Sequence, residues 1–341
     1  MRKALTVEPG RIEIIQAPDP ELGDGEAVVR IQRVGLCGSD YHLFLGDHPY
    51  ARFPQTQGHE LAGVVEALAP DYDGPIEIGT RVAIEPLVPC GSCFSCRRGH
   101  YNCCASLKVL GAHVPGGLAD RIAVRASSLY PVGDLEPELA ALCEPISIGV
   151  QAVVRAGIGE GDAVVVLGAG PIGQAVTLGA KDRGARVLIA DLIHSRLEHA
   201  RRLGADVTVD SSSSDLAVEV ERWTEREGAA VVVDATGVPE LIRLGIDLVA
   251  PSGTIVVVGI SQRELFVPVI EFTRKELNVL GSRNNAGVFG DAVDLVRRNR
   301  DRVRSLITHT YELEQVAEAV QFAVDHPEQV QKVIVRVDGN A

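Results

Sequence analysis

The stretch that decides the fold is Ala163–Asp191, AVVVLGAGPIGQAVTLGAKDRGARVLIAD. Val164–Leu167 is a short apolar run rich in β-branched residues, which predicts a strand buried on both faces. Glycines follow at once, and Gln174–Arg183 then has the apolar face of a helix. A second apolar run, Val187–Ala190, leads into Asp191. The order strand, glycine turn, helix, strand predicts one unit of a parallel α/β sheet.

The glycines of this stretch form a G-x-G-x-x-G pattern. Gly168 allows a tight turn, Gly170 lets a pyrophosphate approach the backbone, and Gly173 lets the helix pack on the strand. The helix N-terminus offers free N–H groups to the phosphates. Asp191 follows Gly173 by 18 positions, near the spacing of about 20 expected for a carboxylate on the ribose hydroxyls. That carboxylate would repel a 2′-phosphate, so the pattern favours NAD over NADP. The predicted cofactor site comprises Gly168, Gly170, Pro171, Ile172, Gly173, Asp191, Arg196 and Gly259.

Length and charge narrow the possible functions. A chain of 341 residues suits about two domains. A net charge of −13 argues against binding to nucleic acid or to an anionic membrane, although a local arginine can still hold a small anionic substrate. The sequence has no apolar run long enough for a transmembrane helix and no signal peptide at its start, so we expect a cytoplasmic protein.

The order of the predicted elements divides the chain. The N-terminal part, which ends with the strand-like LYPV at Leu129–Val132, is mostly β with glycine turns, typical of a partly open barrel. A helix is predicted over 138–155, broken at the Glu144-Pro145 step, and strands then alternate with helices. Two further helices near 291–300 and 312–326 precede a last strand at 332–337. This order predicts a doubly wound parallel sheet domain beside a β-rich domain.

A cysteine-rich loop has the spacing of a metal site. Cys90, Cys93 and Cys96 are spaced C-x2-C-x2-C, and Cys104 follows. Four thiolates in one short loop predict a closed, structural zinc site. An iron–sulfur cluster is the alternative, but the fourth cysteine of ferredoxins follows sooner and precedes proline. Cys103 is out of register with the other four.

A second set of possible metal ligands is scattered along the chain: Cys37, His59, Glu60 and Glu144. Thiolate, imidazole and carboxylate suit zinc, and three protein ligands plus water form a catalytic site. Spacing alone does not decide between such a site and ordinary polar residues.

These motifs resemble those of the zinc-dependent medium-chain dehydrogenase/reductase family, over essentially the whole chain. The matching segments occur in family order: CGSDYH at Cys37–His42, GHELAG at Gly58–Gly63, the cysteine loop, EPISIG at Glu144–Gly149 and GAGPIG at Gly168–Gly173. The resemblance implies a GroES-like catalytic domain at 1–148, a Rossmann NAD-binding domain at 149–285, and a return of 286–341 to the catalytic domain. It also implies an active site in the cleft between the domains.

The resemblance further implies a reaction and its cofactors. These are NAD and two zinc ions per chain: a structural ion on the cysteine loop, and a catalytic ion on Cys37 and His59 with Glu60, Glu144 or both. Such an ion lowers the pKa of the substrate hydroxyl. Ser39 and His42 match the proton relay of the family, which passes through the cofactor ribose. A hydride then leaves carbon for the nicotinamide.

The substrate class is also implied by resemblance. Glu144 stands where polyol dehydrogenases carry glutamate. VLGAHVPGG at Val109–Gly117 and KELNVLGSRN at Lys275–Asn284 resemble bacterial L-galactonate and L-gulonate 5-dehydrogenases and starvation-sensing dehydrogenases of sugar-acid operons. We therefore expect a sugar acid, with Arg283 and Asn284 beside it. Arg283 pairs either with the carboxylate of this substrate or with the cofactor or a neighbouring carboxylate of the chain.

Several alternatives remain open. L-Threonine 3-dehydrogenase and a polyol dehydrogenase for galactitol or sorbitol share the glutamate-bearing zinc site. A protein of another class, an NAD-binding sensor or structural protein without catalysis, would have lost the metal ligands or the relay residues, and all are present here. The family also leads us to expect a homodimer or homotetramer.

Overall fold

The computed structural model describes residues 1–48 and 51–338. The chain divides into two compact units. The first consists of residues 1–144 and 289–341, and the second of residues 145–288.

The N-terminal part of the first unit is built mainly of strands. Its elements are β1 (Arg2–Glu8), β2 (Arg11–Gln16), β3 (Glu26–Leu36), α1 (Gly38–Leu45), β4 (Glu60–Leu68), β5 (Arg81–Ile84), β6 (Leu87–Val88), α2 (Phe94–Arg97), β7 (Lys108–Val109), β8 (Arg121–Arg125), β9 (Leu129–Pro131) and α3 (Pro137–Ala141).

The second unit is a six-stranded parallel sheet with helices on both faces. It contains α4 (Cys143–Ala156, which begins two residues before the division), β10 (Ala163–Leu167), α5 (Pro171–Asp182), β11 (Arg186–Asp191), α6 (His194–Leu203), β12 (Val207–Asp210), α7 (Leu216–Trp223), β13 (Ala229–Asp234), α8 (Pro239–Leu248), β14 (Val249–Val257), α9 (Ile270–Lys275) and β15 (Asn278–Gly281). The strand order is β12-β11-β10-β13-β14-β15. Val164 and Val166 pack in one apolar cluster, and Val165 and Leu167 pack in another. Both faces of β10 are therefore covered, which confirms the predicted doubly wound sheet.

The C-terminal part of the first unit joins the N-terminal sheet. It comprises α10 (Phe289–Arg298), α11 (Arg300–Arg304), β16 (Ile307–Glu312), α12 (Val316–Asp325) and β17 (Lys332–Arg336). The sheet order is β16-β17-β3-β4-β5-β9, with β8 also paired to β3. Because β17 runs antiparallel to β3, Lys332–Arg336 lies beside the strand that leads into Cys37.

One predicted feature differs in detail. The helix break lies at Leu142, between α3 and α4, and not at the Glu144-Pro145 step. Pro145 instead stands in the first turn of α4, where a missing N–H costs no intrahelical hydrogen bond. The consequence is that Glu144 is buried in the first turn of a helix.

A membrane-spanning helix is not found among the described residues, because none of their helices is both long and apolar enough.

Candidate active site

The N-terminus of α1 presents Cys37 next to a buried carboxylate. Cys37 is the residue that precedes the helix, and its N–H donates to Asp40 Oδ2 at 3.0 Å. The other oxygen of Asp40 accepts the N–H of Gly58 at 3.2 Å. Asp40 is fully buried. This carboxylate therefore ties the start of α1 to the loop that leads into His59.

Three of the predicted catalytic ligands lie together. One ligand atom each from Cys37, His59 and Glu60 lies within 4.8 Å of the others. Glu60 begins β4 and pairs with Gly35 of β3. A Cβ at Gly35 would lie only 2.0 Å from Glu60 Oε2. Glycine is thus required at position 35 for the carboxylate to occupy this place.

The two carboxylate oxygens of Glu60 have different surroundings. Its Oε1 accepts from Lys332 Nζ at 2.6 Å, and Lys332 also donates to the carbonyl of Leu36. Its Oε2 is buried and has no hydrogen-bond partner among the described residues. A buried carboxylate oxygen without a partner is costly unless a cation or a donor is bound. Thiolate, imidazole and this oxygen together fit a zinc ion.

Buried charges perturb the ionisable groups of this site. Burial lowers the pKa of His59, but the negative charges of Asp40 and Cys37 outweigh it and raise the pKa well above its usual 6.5. Burial also raises the pKa of Glu144 to about 7, with the charge of Glu60 acting in the same direction. Perturbed groups of this kind concentrate at functional sites.

The other predicted catalytic residues lie near this group but not in it. Glu144 is outside the 4.8 Å group, although it interacts electrostatically with His59 and Glu60. Ser39 stands in the first turn of α1 and is half-buried. His42 is 61 % exposed, and its Nδ1 lies 3.0 Å from Asp47 Oδ1. Of the two predicted acidic ligands, Glu60 is therefore the one that lies with Cys37 and His59.

The cysteine loop brings four thiols together. Their sulfur atoms, those of Cys90, Cys93, Cys96 and Cys104, lie within 4.8 Å of one another. Cys93 N–H donates to Cys90 Sγ at 3.3 Å, and backbone donors from Ser92 and Cys93 lower the pKa of Cys90 to about 5. Four thiolates at this spacing fit a structural zinc ion, which takes four such ligands in a tetrahedral arrangement.

The remaining two cysteines lie elsewhere. Cys103 is exposed and is not part of the thiol group, in line with its register. Cys143 is fully buried, its thiol donates to the carbonyl of Leu139, and burial raises the pKa of this thiol to about 12. Neither thiol joins a metal group among the described residues.

The glycine turn after β10 has the geometry that a dinucleotide needs. Gly168 has φ +94°, in the left-handed region that favours glycine. A Cβ at Gly173 would lie 1.8 Å from the carbonyl oxygen of Gly168, so only glycine lets α5 approach the turn. Around Gly170 the space is open, with no atom within 4 Å of a Cβ there. Pro171 begins α5 directly after this open position. The turn therefore leaves room for a pyrophosphate at the helix N-terminus.

Asp191 ends β11 beside this turn. Its Oδ2 accepts the N–H of Ala169 at 2.6 Å, and its Oδ1 accepts that of Ile193 at 2.8 Å. Arg196 Nη1 lies 4.0 Å from Asp191 Oδ2. The carboxylate is thus oriented by the turn, and each oxygen keeps a second lone pair for a ribose hydroxyl.

The remaining predicted cofactor and substrate residues lie at or beyond strand ends of the second unit. Gly259 follows β14, and a Cβ there would lie 1.9 Å from the N atom of Gly237. Arg283 and Asn284 follow β15; Arg283 is exposed, and Asn284 has φ +45°. Ligands of open parallel sheets bind at the carboxyl ends of the strands.

Sequence analysis missed three residues of these sites. Asp40 lies inside the CGSDYH segment, where its place three residues after the residue that precedes α1 could have identified it as a cap. Lys332 gave no signal, because a single lysine before an apolar strand is ordinarily exposed. Asp234 ends β13 and accepts from the N–H and hydroxyl of Thr236. Its position could have been noticed in the sequence, because it is an acidic residue that ends an apolar run and is followed by A-T-G.

Family models match both parts of the chain. The alcohol dehydrogenase GroES-like domain matches residues 23–134, and the zinc-binding dehydrogenase model matches residues 171–298.

Relatives match along nearly the full length. L-Galactonate-5-dehydrogenase of Escherichia coli K12 is 33% identical over 94% of both chains. D-Altritol 5-dehydrogenase of Agrobacterium fabrum is 34% identical over 91% of this chain and 92% of its own. The rspB alcohol dehydrogenase of E. coli CFT073, solved in complex with NADH, superposes with a TM-score of 0.93 at 30% identity, over 99% of both chains. This chain therefore belongs to the zinc-type alcohol dehydrogenase family, whose enzymes are oxidoreductases that act on CH–OH donors with a nicotinamide dinucleotide.

Proposed function

We propose that this chain oxidises a secondary alcohol of a sugar acid similar to L-gulonate or L-galactonate, giving a keto-aldonate and NADH. The observation that carries the proposal is the group of Cys37, His59 and Glu60, whose ligand atoms lie within 4.8 Å. The first unit acts as the catalytic domain and the second as the NAD-binding domain.

The roles of the residues follow from their chemistry. Cys37, His59 and Glu60 hold the catalytic zinc, and Glu144 is a further acidic ligand or an exchange partner of Glu60. Zinc supplies a Lewis acid that lowers the pKa of the substrate hydroxyl. Ser39 accepts the hydroxyl proton, and His42 delivers it to water. A side chain that is 61 % exposed and close to Asp47 suits this last step.

The cofactor is held by groups that the chain provides itself. Gly168, Gly170 and Gly173 leave space for the pyrophosphate, with Pro171 and Ile172 in the first turn of α5. Asp191 accepts from the adenosine ribose and disfavours a 2′-phosphate. Arg196 and Gly259 complete the site. Bound NAD supplies the hydride acceptor.

The proposed substrate class rests on the relatives. Two of them are named for 5-dehydrogenation of L-galactonate and of D-altritol, a sugar acid and a polyol. Arg283 is exposed and, with Asn284 beside it, can bind a carboxylate through two parallel N–H groups. A sugar acid therefore has a recognition group that a neutral polyol does not use. Polyol dehydrogenation is the second candidate, favoured by the name of the altritol enzyme.

A substrate screen tests this proposal. Zinc-loaded protein is assayed for NAD reduction with L-gulonate, L-galactonate, D-altritol, galactitol, sorbitol and L-threonine at equal concentrations. We expect the largest kcat/KM with one of the two aldonates, and we expect Arg283→Leu to reduce it more for the aldonate than for any polyol. Preference for a polyol or for threonine replaces the proposed substrate, and absence of turnover with every compound argues for the non-catalytic class.

We also propose that the chain assembles with copies of itself through the edge of the second sheet. β15 is an edge strand, and the preceding segment exposes Ile260 by 96%, Phe266 by 79% and Val269 by 78%. Exposed apolar side chains beside an open strand edge are typical of an interface. A two-fold axis would let this edge pair with its copy. Light scattering coupled to gel filtration, with Phe266→Glu as the disrupting variant, tests for the dimer or tetramer.

The cytoplasm is the proposed location. Its reducing conditions keep thiols available as zinc ligands, and the seven cysteines form no disulfide bond.

A further inference from the structure

The cysteine group lies in a loop with a small apolar core. The ends of this loop are held together by the pairing of β6 with β7. Within it, Cys104 packs with Leu87 and Leu107 in a separate apolar cluster. Thiolates that lie this close together repel one another until a metal ion neutralises them. We therefore expect the loop to depend on further contacts that keep its ligands in place.

Tyr101 connects this loop to the rest of the first unit. It lies between Cys96 and Cys104 in the sequence, and its carbonyl accepts the N–H of Cys104 at 3.0 Å. Its hydroxyl donates to Glu85 Oε1 at 2.8 Å. The sulfur of Cys104 in turn accepts the N–H of Cys90 at 3.2 Å. A short series of hydrogen bonds thus joins Glu85 to two of the four thiols.

Glu85 is a firm support, because the seven-stranded sheet of the first unit fixes both its backbone and its side chain. It directly follows β5, and its N–H donates to the carbonyl of Ser128 at 2.9 Å. Its side chain is 7% exposed and also accepts a hydrogen bond from Tyr130. Tyr130 lies in β9, the neighbour of β5, and its ring packs on the buried ring of Phe289 with the centroids 4.6 Å apart. The carboxylate that holds Tyr101 is therefore itself held by the sheet.

The hydrogen bond between Tyr101 and Glu85 favours one position of the loop. A hydroxyl binds a carboxylate more strongly than it binds a neutral acceptor. Burial of Glu85 also limits the water that could replace the hydroxyl. The segment from Cys96 to Cys104 thus keeps its place whether or not a metal ion is bound. A loop that is already ordered loses less conformational entropy when it binds its metal, and therefore binds it more tightly.

We propose that Glu85 is a positioning residue for the metal of the cysteine group: by holding Tyr101, it keeps the four thiols in their binding arrangement and slows the loss of the metal. The ligands are the cysteines themselves, and Glu85 acts on them through Tyr101 and Cys104. This inference goes beyond the proposed dehydrogenase reaction and does not depend on which alcohol is the substrate.

Metal release from the full-length, zinc-loaded protein tests this role. Zinc is transferred to a coloured chelator, and the kinetic phase that Cys93→Ser lacks is assigned to the cysteine group. Tyr101→Phe should accelerate this phase about fivefold, because the hydrogen bond to the carboxylate is lost. Glu85→Gln, which keeps a neutral acceptor oxygen, should accelerate it less. Tyr311→Phe, which removes a hydroxyl from β16 in the same unit, is the control and should release zinc as the parent does.

Two further measurements separate positioning from a general loss of stability. In the Tyr101→Phe background, Glu85→Gln should change the release rate by less than about twofold, because the contact through which Glu85 acts is already gone. Hydrogen exchange of zinc-loaded Tyr101→Phe should increase between residues 89 and 107 and stay at the parent level in β3 and β4. Release from Tyr101→Phe at the parent rate, equal acceleration in Tyr311→Phe, independent effects in the double variant or unchanged exchange in the loop overturns the proposal.

Discussion

Lys332 Nζ lies 2.6 Å from Glu60 Oε1, and the two side chains are 4% and 0% exposed. The lysine begins β17 and the glutamate begins β4, so the pair joins the last strand of the chain to the edge of the metal group. Through this pair, one carboxylate oxygen of Glu60 is held by a cation while the other remains available.

Lys332→Met should destabilise the protein, because it leaves a buried carboxylate without its cation. The expected loss in the free energy of unfolding is about 3 kcal/mol, measured by urea denaturation. Lys181→Met breaks the more exposed pair with Asp206 and should cost less than about 1 kcal/mol. Equal decreases in the free energy of unfolding in the two variants would show that the buried pair does not stabilise the protein more than the exposed pair does.

Cys37→Ser should abolish turnover and lower the zinc content by one ion per chain, while NADH still binds with its parent affinity. The thiolate is the soft ligand of the proposed catalytic zinc, and a serine hydroxyl binds zinc poorly. Metal analysis and fluorescence titration with NADH measure the two effects. Cys103→Ser, which changes an exposed thiol outside both metal groups, is the control. Retained activity would remove Cys37 from the catalytic site.

Cys93→Ser should remove the other zinc ion and lower the melting temperature, because thiolate ligation holds this loop together. Hydrogen exchange should increase between residues 89 and 107 and stay unchanged in the second unit. Cys103→Ser again serves as the control. Iron found in this loop would overturn the assignment of zinc.

Asp191→Asn should weaken NAD binding about tenfold, or about 1.4 kcal/mol, and should raise the relative affinity for NADP. The substitution removes the charge that repels a 2′-phosphate and keeps one acceptor oxygen. Asp210→Asn is the control, since Asp210 is the parallel-register partner of Asp191 on β12. The dissociation constants of both cofactors are compared; an unchanged preference would contradict the role of Asp191.

Glu85 should make the protein less stable as the pH rises above 4.5. Burial raises the pKa of Glu85 above its usual 4.5, although hydrogen bonds from Tyr101 and Tyr130 oppose this. In the interval between the two pKa values the folded chain retains a proton that the unfolded chain has released, so unfolding becomes easier as pH increases.

Glu85→Gln should remove this part of the pH dependence, because an amide does not titrate. Urea denaturation between pH 4.5 and 7.5 should give a flatter stability curve for this variant than for the parent. Glu77→Gln, an exposed substitution, should leave the curve of the parent unchanged. A Glu85→Gln curve parallel to that of the parent would contradict the prediction.

Local patterns were sufficient for the fold. The β-branched run Val164–Leu167 and the glycines at 168, 170 and 173 predicted the parallel sheet, and the structure confirms it. These features can be predicted from sequence because the burial of a strand and the space around a turn depend on residues only a few positions apart. The helix break after α3 was misplaced by three positions, because a proline in the first helical turn is tolerated.

The sequence did not settle which residues distant along the chain lie together in space. Sequence reasoning named Cys37, His59, Glu60 and Glu144 together, but left open which carboxylate stands with the thiol and the imidazole. In the structure, Glu60 joins Cys37 and His59 within 4.8 Å and Glu144 does not. Their metal-binding roles stay predictions, to be tested by the variants described here.

The sequence by itself determined the α/β class, the dinucleotide turn and the cysteine spacing, since each depends on contacts made within a short length of chain. Only the tertiary structure decided that Lys332, 272 positions after Glu60, neutralises that carboxylate, and that Asp40 orients both Cys37 and Gly58. Electrostatic interactions act through space, and pairing of β17 and β4 with opposite edges of β3 is what brings these charges together.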